Sequence, residues 1–270
     1  MNNLVQRTIT GIIFLVLVVG AVIFHKLSFF LLFALIIAGS MFEFYSLAER
    51  KSYKPQKIFG VILGILFFTA NFIYANNYFG VKIFLPLILL LITVYIVELY
   101  RKSDQVFVNI GFTLLGIIYI ALPLSLANYI VLEDAVNYNW QLLLGFFIIT
   151  WSFDTFAYIF GVSLGKHRLF ERISPKKSWE GFIGGVIFTI IIAYPVSLLF
   201  SELNFVHWAI VAILVSVAGT YGDLVESAFK RNINRKDSGN IMPGHGGFLD
   251  RFDAILFSLP AFYVFLQIIN

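Results

Sequence analysis

The chain has 270 residues, of which 60% are hydrophobic, 18% aromatic and 13% charged, with a mean hydropathy of +0.89 and a net charge of +4. This composition excludes a soluble globular protein and a disordered one, because too few charged side chains remain to keep the chain in water. The absence of cysteine excludes disulfides, thiol catalysis and Cys-ligated zinc. We therefore predict an all-α integral membrane protein.

Nine stretches are apolar enough to cross a bilayer, which takes about 20 helical residues. The predicted spans are residues 5–24, 28–48, 58–76, 82–100, 107–132, 140–163, 180–201, 206–228 and 252–269. The first lacks a clear cleavage site and is read as a retained helix, joined to the second by a short turn at His25–Lys26. We expect a single polytopic domain over 1–270, with N-terminal spans in 1–135 and catalytic spans and loops in 140–270.

The positive charges are distributed unevenly between the connections. With nine spans, all of the 19 Lys and Arg residues except Lys26 and Lys82 fall on one side of the membrane. Cytoplasmic loops of membrane proteins are rich in Lys and Arg. We therefore expect a multi-pass protein of the cell membrane, with the N-terminus and the basic loops 164–179 and 229–251 in the cytoplasm and the C-terminus outside.

Asp154 lies within the sixth predicted span, and Tyr158, Gly161 and Gly165 follow it at helical spacing. A carboxylate inside a membrane is costly unless it is paired, bound to a metal or facing water. Asp154 could simply bond to a Ser or Lys of a neighbouring helix. Because a basic loop follows on the same side, we favour a functional site, in which the glycines allow close approach.

The loop from Gly165 to Gly181 is rich in cations. Ser174 and Pro175 are typical of a helix start, as N-cap and first helical residue. Lys176 and Lys177 would then lie near a helix N-terminus, whose backbone dipoles favour anions. The same charges could be only the usual cytoplasmic excess or a lipid-headgroup patch. We favour phosphate binding.

Three more acids lie where the last two predicted spans meet their connecting loop. Asp223 shares a helical face with Ser227 and Lys230, and Asp250 and Asp253 open the ninth span three residues apart. Magnesium takes one or two carboxylates and leaves its other positions to water and substrate phosphate. The acids therefore predict a Mg²⁺ site, although Asp250 alone could be explained as a partner of the helix dipole.

The segment 227–253 combines five cations, three carboxylates, one histidine and four glycines. Lys and Arg hold phosphate oxygens, and glycine lets backbone N–H groups approach them. His245, inside the glycine turn, would bond phosphate or shape that turn. The segment therefore indicates chemistry on a phosphorylated substrate at a bilayer surface.

The same segment resembles the signature of the phosphatidate cytidylyltransferase (CDP-diacylglycerol synthase) family. The matching positions are Ser227, Phe229, Lys230, Arg231, Lys236, Asp237, Gly239, Pro243, His245, Gly246, Gly247, Phe248, Asp250, Arg251, Phe252 and Asp253. Met242 takes a position usually given to Leu, Ile or Phe, which is a swap of similar size. Asp154 and the stretch 173–181 are also similar to the family, so the resemblance covers residues 154–253.

The resemblance implies transfer of the cytidylyl group of CTP to phosphatidate, giving CDP-diacylglycerol and pyrophosphate for phospholipid biosynthesis. It implies Mg²⁺ as cofactor, with a second cation left open, at a site facing the cytoplasm. The implied partners are CTP, phosphatidic acid and membrane lipids, not nucleic acid, and a homodimer is left open.

We assign residue roles on this basis. The predicted metal ligands are Asp223 and Asp250, supported by Asp253 and Asp154. The predicted catalytic residues are Lys230, Arg231, Lys236, His245 and Arg251. The predicted substrate-binding residues are Lys176, Lys177, Ser227, Gly246 and Gly247.

Two other functions remain open. A CTP-dependent polyprenol or lipid kinase would share the cationic loop and Mg²⁺. An ion-coupled transporter could line its path with Asp154 and Asp223, but it is disfavoured because the acids and cations gather at one membrane face. CDP-alcohol phosphotransferases are disfavoured because their Asp-Gly-x-x-Ala-Arg motif does not occur in the chain.

Overall fold

The structure, a computed structural model, describes residues 3–132, 137–235, 237–239 and 246–269, with the side chains of the first helix described from Ile9 onward. Within these residues, eight helical spans are long and apolar enough to cross a membrane, and the first helix adds the apolar stretch Ile9–Phe24. Helices suit a bilayer because they satisfy their backbone groups internally. The predicted all-α fold with about nine spans is confirmed.

The helices follow the predicted spans, with ends that differ by a few residues. Their bounds are α1 (Asn3–Phe24), α2 (Lys26–Glu49), α3 (Lys57–Ala75), α4 (Leu85–Tyr100), α5 (Val106–Gly116), α6 (Leu122–Ser125), α7 (Ala127–Val131), α8 (Gln141–Leu164), α9 (Trp179–Leu199), α10 (Phe205–Asn232) and α11 (Leu249–Ile269). A 3₁₀ turn, Val81–Phe84, leads into α4, and a π-helical turn, Ile117–Ala121, joins α5 to α6. The orientation of the chain across the membrane stays a prediction of the charge distribution.

The turn between the first two helices consists of a single residue. His25 has an extended backbone, its Nδ1 accepts a hydrogen bond from Leu27 N–H at 3.1 Å, and its own N–H donates to Ser28 Oγ at 3.1 Å. This reciprocal capping satisfies two donors at the start of α2. The predicted tight connection between α1 and α2 is therefore present.

The chain divides into two compact units. The N-terminal unit comprises Met1–Tyr138 and Asn232–Phe252, and the C-terminal unit comprises Asn139–Arg231 and Asp253–Asn270. Most of the signature segment groups with the N-terminal helices. Glu43 of α2 contacts this segment, as described below. The expected single domain over 1–270 stays a prediction.

Aromatic rings fill part of the N-terminal unit, where Phe33 of α2 and Phe68 of α3 stack with ring centroids 6.2 Å apart. The same unit buries a charged side chain, Glu98 of α4, with 1% of its surface exposed. Its carboxylate accepts hydrogen bonds from Asn109 at 2.7 Å and Gln56 at 3.0 Å, besides the neighbouring Arg101. These donors offset the cost of burying the charge and join α4 to α5 and to the start of α3.

In the C-terminal unit, α8 and α9 pack closely along small residues. A Cβ atom on Gly181 would lie 2.7 Å from the Ala157 carbonyl oxygen and 3.0 Å from Gly161 Cα. Small residues at helix contacts are the usual route to close packing in a membrane. The close approach expected at Gly161 is therefore the approach of α9.

The connection between α8 and α9 is a β-hairpin. Its antiparallel strands are β1 (Arg168–Phe170) and β2 (Ser174–Ser178). The predicted helix start at Ser174 and Pro175 is wrong, because α9 begins at Trp179 and Ser178 is its N-cap. The Ser178 Oγ accepts a hydrogen bond from Gly181 N–H at 3.1 Å, which satisfies an open donor of the first turn.

Candidate functional site

Three carboxylates of the C-terminal unit come from three different helices. Asp154 lies on α8, Asp223 on α10 and Asp253 on α11. The charges of Asp223 and Asp154 both act on the carboxyl group of Asp253. Like charges at close range repel, so this cluster needs cations to offset it. The structure brings together three of the four acids predicted as metal ligands.

Glycine explains how α10 and α11 come close enough to bring two of these acids together. A Cβ atom on Gly222 would lie 2.5 Å from the carbonyl oxygen of Asp253 and 3.3 Å from Ala254 Cα. Gly219, three residues earlier, has its closest neighbour, Ala254 Cβ, at an ordinary 3.4 Å. At Gly222, next to Asp223 in the chain, the two helices therefore approach more closely than at Gly219.

The β-hairpin brings one of the two predicted phosphate-binding lysines to the acids. Lys177 Nζ lies 2.5 Å from Asp223 Oδ2, and the two side chains are 27% and 34% exposed. Lys176 is exposed and forms no ion pair with the residues that the structure describes. Neighbouring strand residues point to opposite faces, which separates the two lysines. The site therefore includes Lys177, and Lys176 lies outside this cluster.

The last turns of α10 carry a buried ion pair. Glu226 is fully buried and pairs with Lys230, four residues later and 8% exposed. Ser227 Oγ donates to Asp223 Oδ1 at 3.1 Å, so the predicted common face of Asp223 and Ser227 is present. The charge of Lys230 also acts on Asp253, which places this cation among the acids.

Glu226 is a residue of this site that was not predicted from the sequence. The sequence does indicate this pair, because a glutamate four residues before a lysine in a predicted span suggests an i,i+4 ion pair.

Asp250, the fourth predicted ligand, lies in the N-terminal unit and is held by hydrogen bonds within the signature segment. Its Oδ2 accepts from Ser238 N–H and Gly247 N–H at 2.9 Å and lies at the same distance from the Ser238 hydroxyl, which can donate to it. Gly246 adopts a φ of +82°, which favours glycine, and a Cβ atom there would lie 2.5 Å from Asp250 Oδ2. The N–H of Gly247, predicted to bind substrate, is therefore used to fix this turn.

A second carboxylate, which sequence reasoning missed, holds the same segment. Glu43 of α2 is 3% exposed, and its Oε2 accepts from Ser238 Oγ at 2.8 Å and Leu249 N–H at 3.0 Å. The argument that singled out Asp154, the cost of a charge inside a span, applies equally to Glu43. It was missed because the second span was read only as an apolar run.

A cavity of about 300 Å³ adjoins this segment in the N-terminal unit. Its lining residues are Leu47, Arg50, Asn234, Arg235, Asp237, Ser238 and Gly239. The cavity thus combines two guanidinium groups with one carboxylate beside the serine that binds Asp250.

Four further residues were predicted to be catalytic. Arg231 and Arg251 are exposed. Lys236 and His245 lie outside the described residues, so their predicted roles stay predictions.

The carboxylates fit a magnesium ion by their chemistry. The described residues hold no group of three or more His, Cys, Asp or Glu side chains arranged around one metal position. Magnesium, however, needs only one or two carboxylates besides water and substrate oxygens. Asp223 and Asp253, which act on one another electrostatically, are sufficient in number and are hard oxygen donors.

The chain is similar to known proteins over its whole length. A sequence model described as the cytidylyltransferase family matches residues 5–269. A protein of Bacillus subtilis (strain 168) named phosphatidate cytidylyltransferase is 33% identical over 274 residues, which is 100% of both chains. Proteins of the same name from Staphylococcus saprophyticus and Staphylococcus haemolyticus are 41% and 42% identical over 167 residues, 61% of this chain and 62% of theirs.

Proposed function

The chain belongs to the cytidylyltransferase family, and we propose that it transfers the cytidylyl group of CTP to phosphatidate, giving CDP-diacylglycerol and pyrophosphate. The observation that carries this proposal is the full-length similarity to the phosphatidate cytidylyltransferase of Bacillus subtilis. The cluster of carboxylates with Lys177 and Lys230 supports it, because nucleotidyl transfer depends on neutralising and positioning phosphate groups.

In the proposed reaction, a phosphate oxygen of phosphatidate attacks the α-phosphorus of CTP. A new P–O–P bond forms, the bond between the α- and β-phosphates breaks, and pyrophosphate leaves with the electron pair. A phosphate monoester has a second pKa of about 6, so the nucleophile is already ionised near neutral pH. The reaction therefore needs no strong general base, which agrees with a cluster made of acids and lysines.

Lys177 would serve as a phosphate ligand that Asp223 holds in place before substrate arrives. Its ammonium group lies between the hairpin and α10, where a phosphate oxygen could take over from the carboxylate. Lys230 would stay paired with Glu226 and act on the acids through its charge. Arg231, Lys236, Arg251 and His245 are proposed to contact the triphosphate or the leaving pyrophosphate.

Asp223 and Asp253 would hold Mg²⁺, with Asp154 beside them. The ion, when bound, supplies positive charge to the phosphate oxygens of the nucleotide. Asp250 also remains a proposed ligand, although both of its oxygens accept hydrogen bonds from the signature segment. We place this site at the cytoplasmic face, where the excess of Lys and Arg predicts the basic loops.

The test is an assay of purified protein in mixed micelles containing phosphatidic acid. We expect pyrophosphate release that depends on CTP, Mg²⁺ and the lipid together. Label on the α-phosphate of CTP should enter the lipid, and label on the γ-phosphate should not. Entry of the γ-label would instead establish a CTP-dependent lipid kinase, and transfer of neither label would contradict the proposal.

Asp223→Asn tests the acid cluster in the same assay. The variant should lose nearly all turnover and remain folded in detergent, because the substitution keeps the shape of the side chain and removes its charge. Retained turnover at the wild-type Mg²⁺ requirement would remove Asp223 from the metal site.

A further inference from the structure

The carboxylate of Glu43 lies deep in the N-terminal unit. The side chain is 3% exposed, and no Lys or Arg among the described residues pairs with it. A buried carboxylate is costly unless hydrogen bonds compensate it. Oε2 has two donors, whereas Oε1 receives no hydrogen bond from the described residues. The position of this carboxylate therefore calls for an explanation beyond the stability of α2.

Glu43 connects two parts of the signature segment that are separate in the chain. One part is Ser238–Gly239 and the other is Gly246–Asp250. A single oxygen, Oε2, accepts from Ser238 Oγ in the first part and from Leu249 N–H in the second. Leu249 begins α11, where a backbone N–H has no partner within the helix. Glu43 thereby fixes the distance between the two parts.

Glycines allow both parts to reach the carboxylate. A Cβ atom on Gly239 would collide with Oε1, and one on Gly247 would collide with Oε2. One helical turn before Glu43, Gly39 receives the ring of Phe248, which would lie 2.6 Å from a Cβ atom there. One face of α2 is therefore shaped to seat the signature segment, with Glu43 as its only charged group among these contacts.

The contact continues from Glu43 to Asp250 through Ser238. The Ser238 hydroxyl lies 2.8 Å from Glu43 Oε2 and 2.9 Å from Asp250 Oδ2. A hydroxyl carries one proton and donates it to one acceptor at a time. Glu43 therefore gives this hydroxyl a second acceptor beside Asp250.

We propose that Glu43 is a positioning residue of the site. It sets the two parts of the signature segment at the spacing needed to bind nucleotide and metal, and it acts through Ser238 on Asp250. Ser238 and Gly239, which contact Glu43, also line the cavity with Arg50 and Arg235. Loss of the Glu43 charge would therefore change the shape of this cavity. The kinetic part of this inference depends on the proposed function.

Glu98 provides a matched control in the same unit. It is also a buried glutamate of a membrane span, at 1% exposure, and it is saturated with donors from Gln56, Arg101 and Asn109. None of these donors belongs to the signature segment. Glu43→Gln and Glu98→Gln therefore make the same chemical change, and only the first touches the segment.

The experiment compares both variants with the wild type in detergent micelles. For Glu43→Gln we expect the KM for CTP and the half-saturating Mg²⁺ concentration to rise by roughly tenfold or more, as for other residues that orient a ligand. For Glu98→Gln we expect a lower thermal midpoint, with both kinetic quantities within about twofold of wild type, because that network does not contact the site. A merely structural role of Glu43 would lower the midpoint and leave the KM and the Mg²⁺ requirement unchanged, which would overturn the proposal.

Ser238→Ala keeps the inference testable if Glu43→Gln does not fold. It removes the hydroxyl between the two carboxylates and leaves the bond from Leu249 to Glu43 in place. We expect the half-saturating Mg²⁺ concentration to rise, but by less than in Glu43→Gln. An unchanged requirement in Ser238→Ala would contradict the proposed action on Asp250.

Hydrogen exchange of the backbone supplies a readout that does not depend on activity. Glu43→Gln should accelerate exchange in peptides containing Gly247 and Leu249, and Glu98→Gln should not. If the wild type proved inactive but this acceleration occurred, the proposed function would fail and the positioning role would stand. If exchange in these peptides were unchanged, the positioning role would fail whatever the activity.

Discussion

Lys177 on the second hairpin strand lies 2.5 Å from Asp223 on α10, so a loop cation neutralises an acid of a membrane span. The hairpin is therefore part of the site, although its residues lie about 50 positions earlier in the chain. A lysine held by a carboxylate is already in position when a phosphate arrives. Positioning before binding lowers the conformational entropy that the lysine side chain loses when substrate binds.

Lys177→Met should weaken the site, because it removes both the charge that neutralises Asp223 and the cation that is positioned for a phosphate. We expect kcat/KM for phosphatidate to fall by about tenfold to a hundredfold, the range for loss of one hydrogen bond to a charged group. Lys176→Met removes the same charge from the neighbouring position, which pairs with none of the acids, and should cause a smaller loss. Steady-state kinetics on both variants gives kcat/KM for phosphatidate. Equal losses of kcat/KM in the two variants would contradict the assignment of Lys177 to the cluster.

Gly222→Ala should disrupt the contact between α10 and α11. The new Cβ atom would lie 2.5 Å from a backbone oxygen of α11, which cannot move away without shifting the helix. Overpacking of this kind costs about 1–3 kcal/mol of stability, and the shift should also displace Asp223 from Asp253.

Gly219→Ala is the control, because its Cβ atom meets only an ordinary contact at 3.4 Å. Thermal unfolding in detergent and turnover, measured on both variants, should separate them. Wild-type turnover in Gly222→Ala would show that the spacing of the two helices at this point does not matter.

Ser178→Ala should destabilise the start of α9. The variant loses the hydrogen bond from Gly181 N–H to the cap, which is worth about 1 kcal/mol in helices generally. Ser174→Ala should have a smaller effect, because Ser174 lies on β2 and caps no helix. A larger drop of the thermal midpoint in Ser174→Ala than in Ser178→Ala would contradict this assignment of the cap.

The Glu226–Lys230 pair allows the structural and catalytic roles of Lys230 to be separated. Glu226→Leu should destabilise the protein by about 3–5 kcal/mol, because it removes the carboxylate that pairs with a buried ammonium group. The double variant Glu226→Leu/Lys230→Leu should regain much of this stability and remain inactive, because the cation near Asp253 is gone. Full turnover in the stable double variant would mean that Lys230 serves only to neutralise Glu226.

The spans could be predicted from sequence because each depends on a long apolar run, and the cost of open backbone groups in a bilayer leaves the helix as the only local solution. The short polar connection before α9 lacked such a constraint. Pairing of β1 with β2 depends on contacts between residues far apart in the loop, whereas Ser174 and Pro175 look locally like a helix start. The residue that caps α9 is Ser178, and local composition could not distinguish it from Ser174.

Individual residues of the site could be predicted from the sequence, but which of them lie together could not. A carboxylate within a span is a strong signal, which found Asp154 and Asp223 and would have found Glu43 had it been applied to the second span. Spacing along the chain could not show that Asp250 is bonded to Ser238, or that Asp253 acts with Asp223. These relationships depend on how helices pack, which the glycines at 222 and 247 permit but do not reveal in sequence.

Ser178 ends β2 and caps α9, so Lys177 follows the movements of that span without an intervening flexible residue. With 21 residues, α9 is about 31 Å long, close to the thickness of the hydrocarbon layer. Spans adjust to thicker or thinner membranes by changing their tilt. We therefore expect the fatty-acid length of the host membrane to affect the contact between Lys177 and Asp223, and with it the rate of turnover.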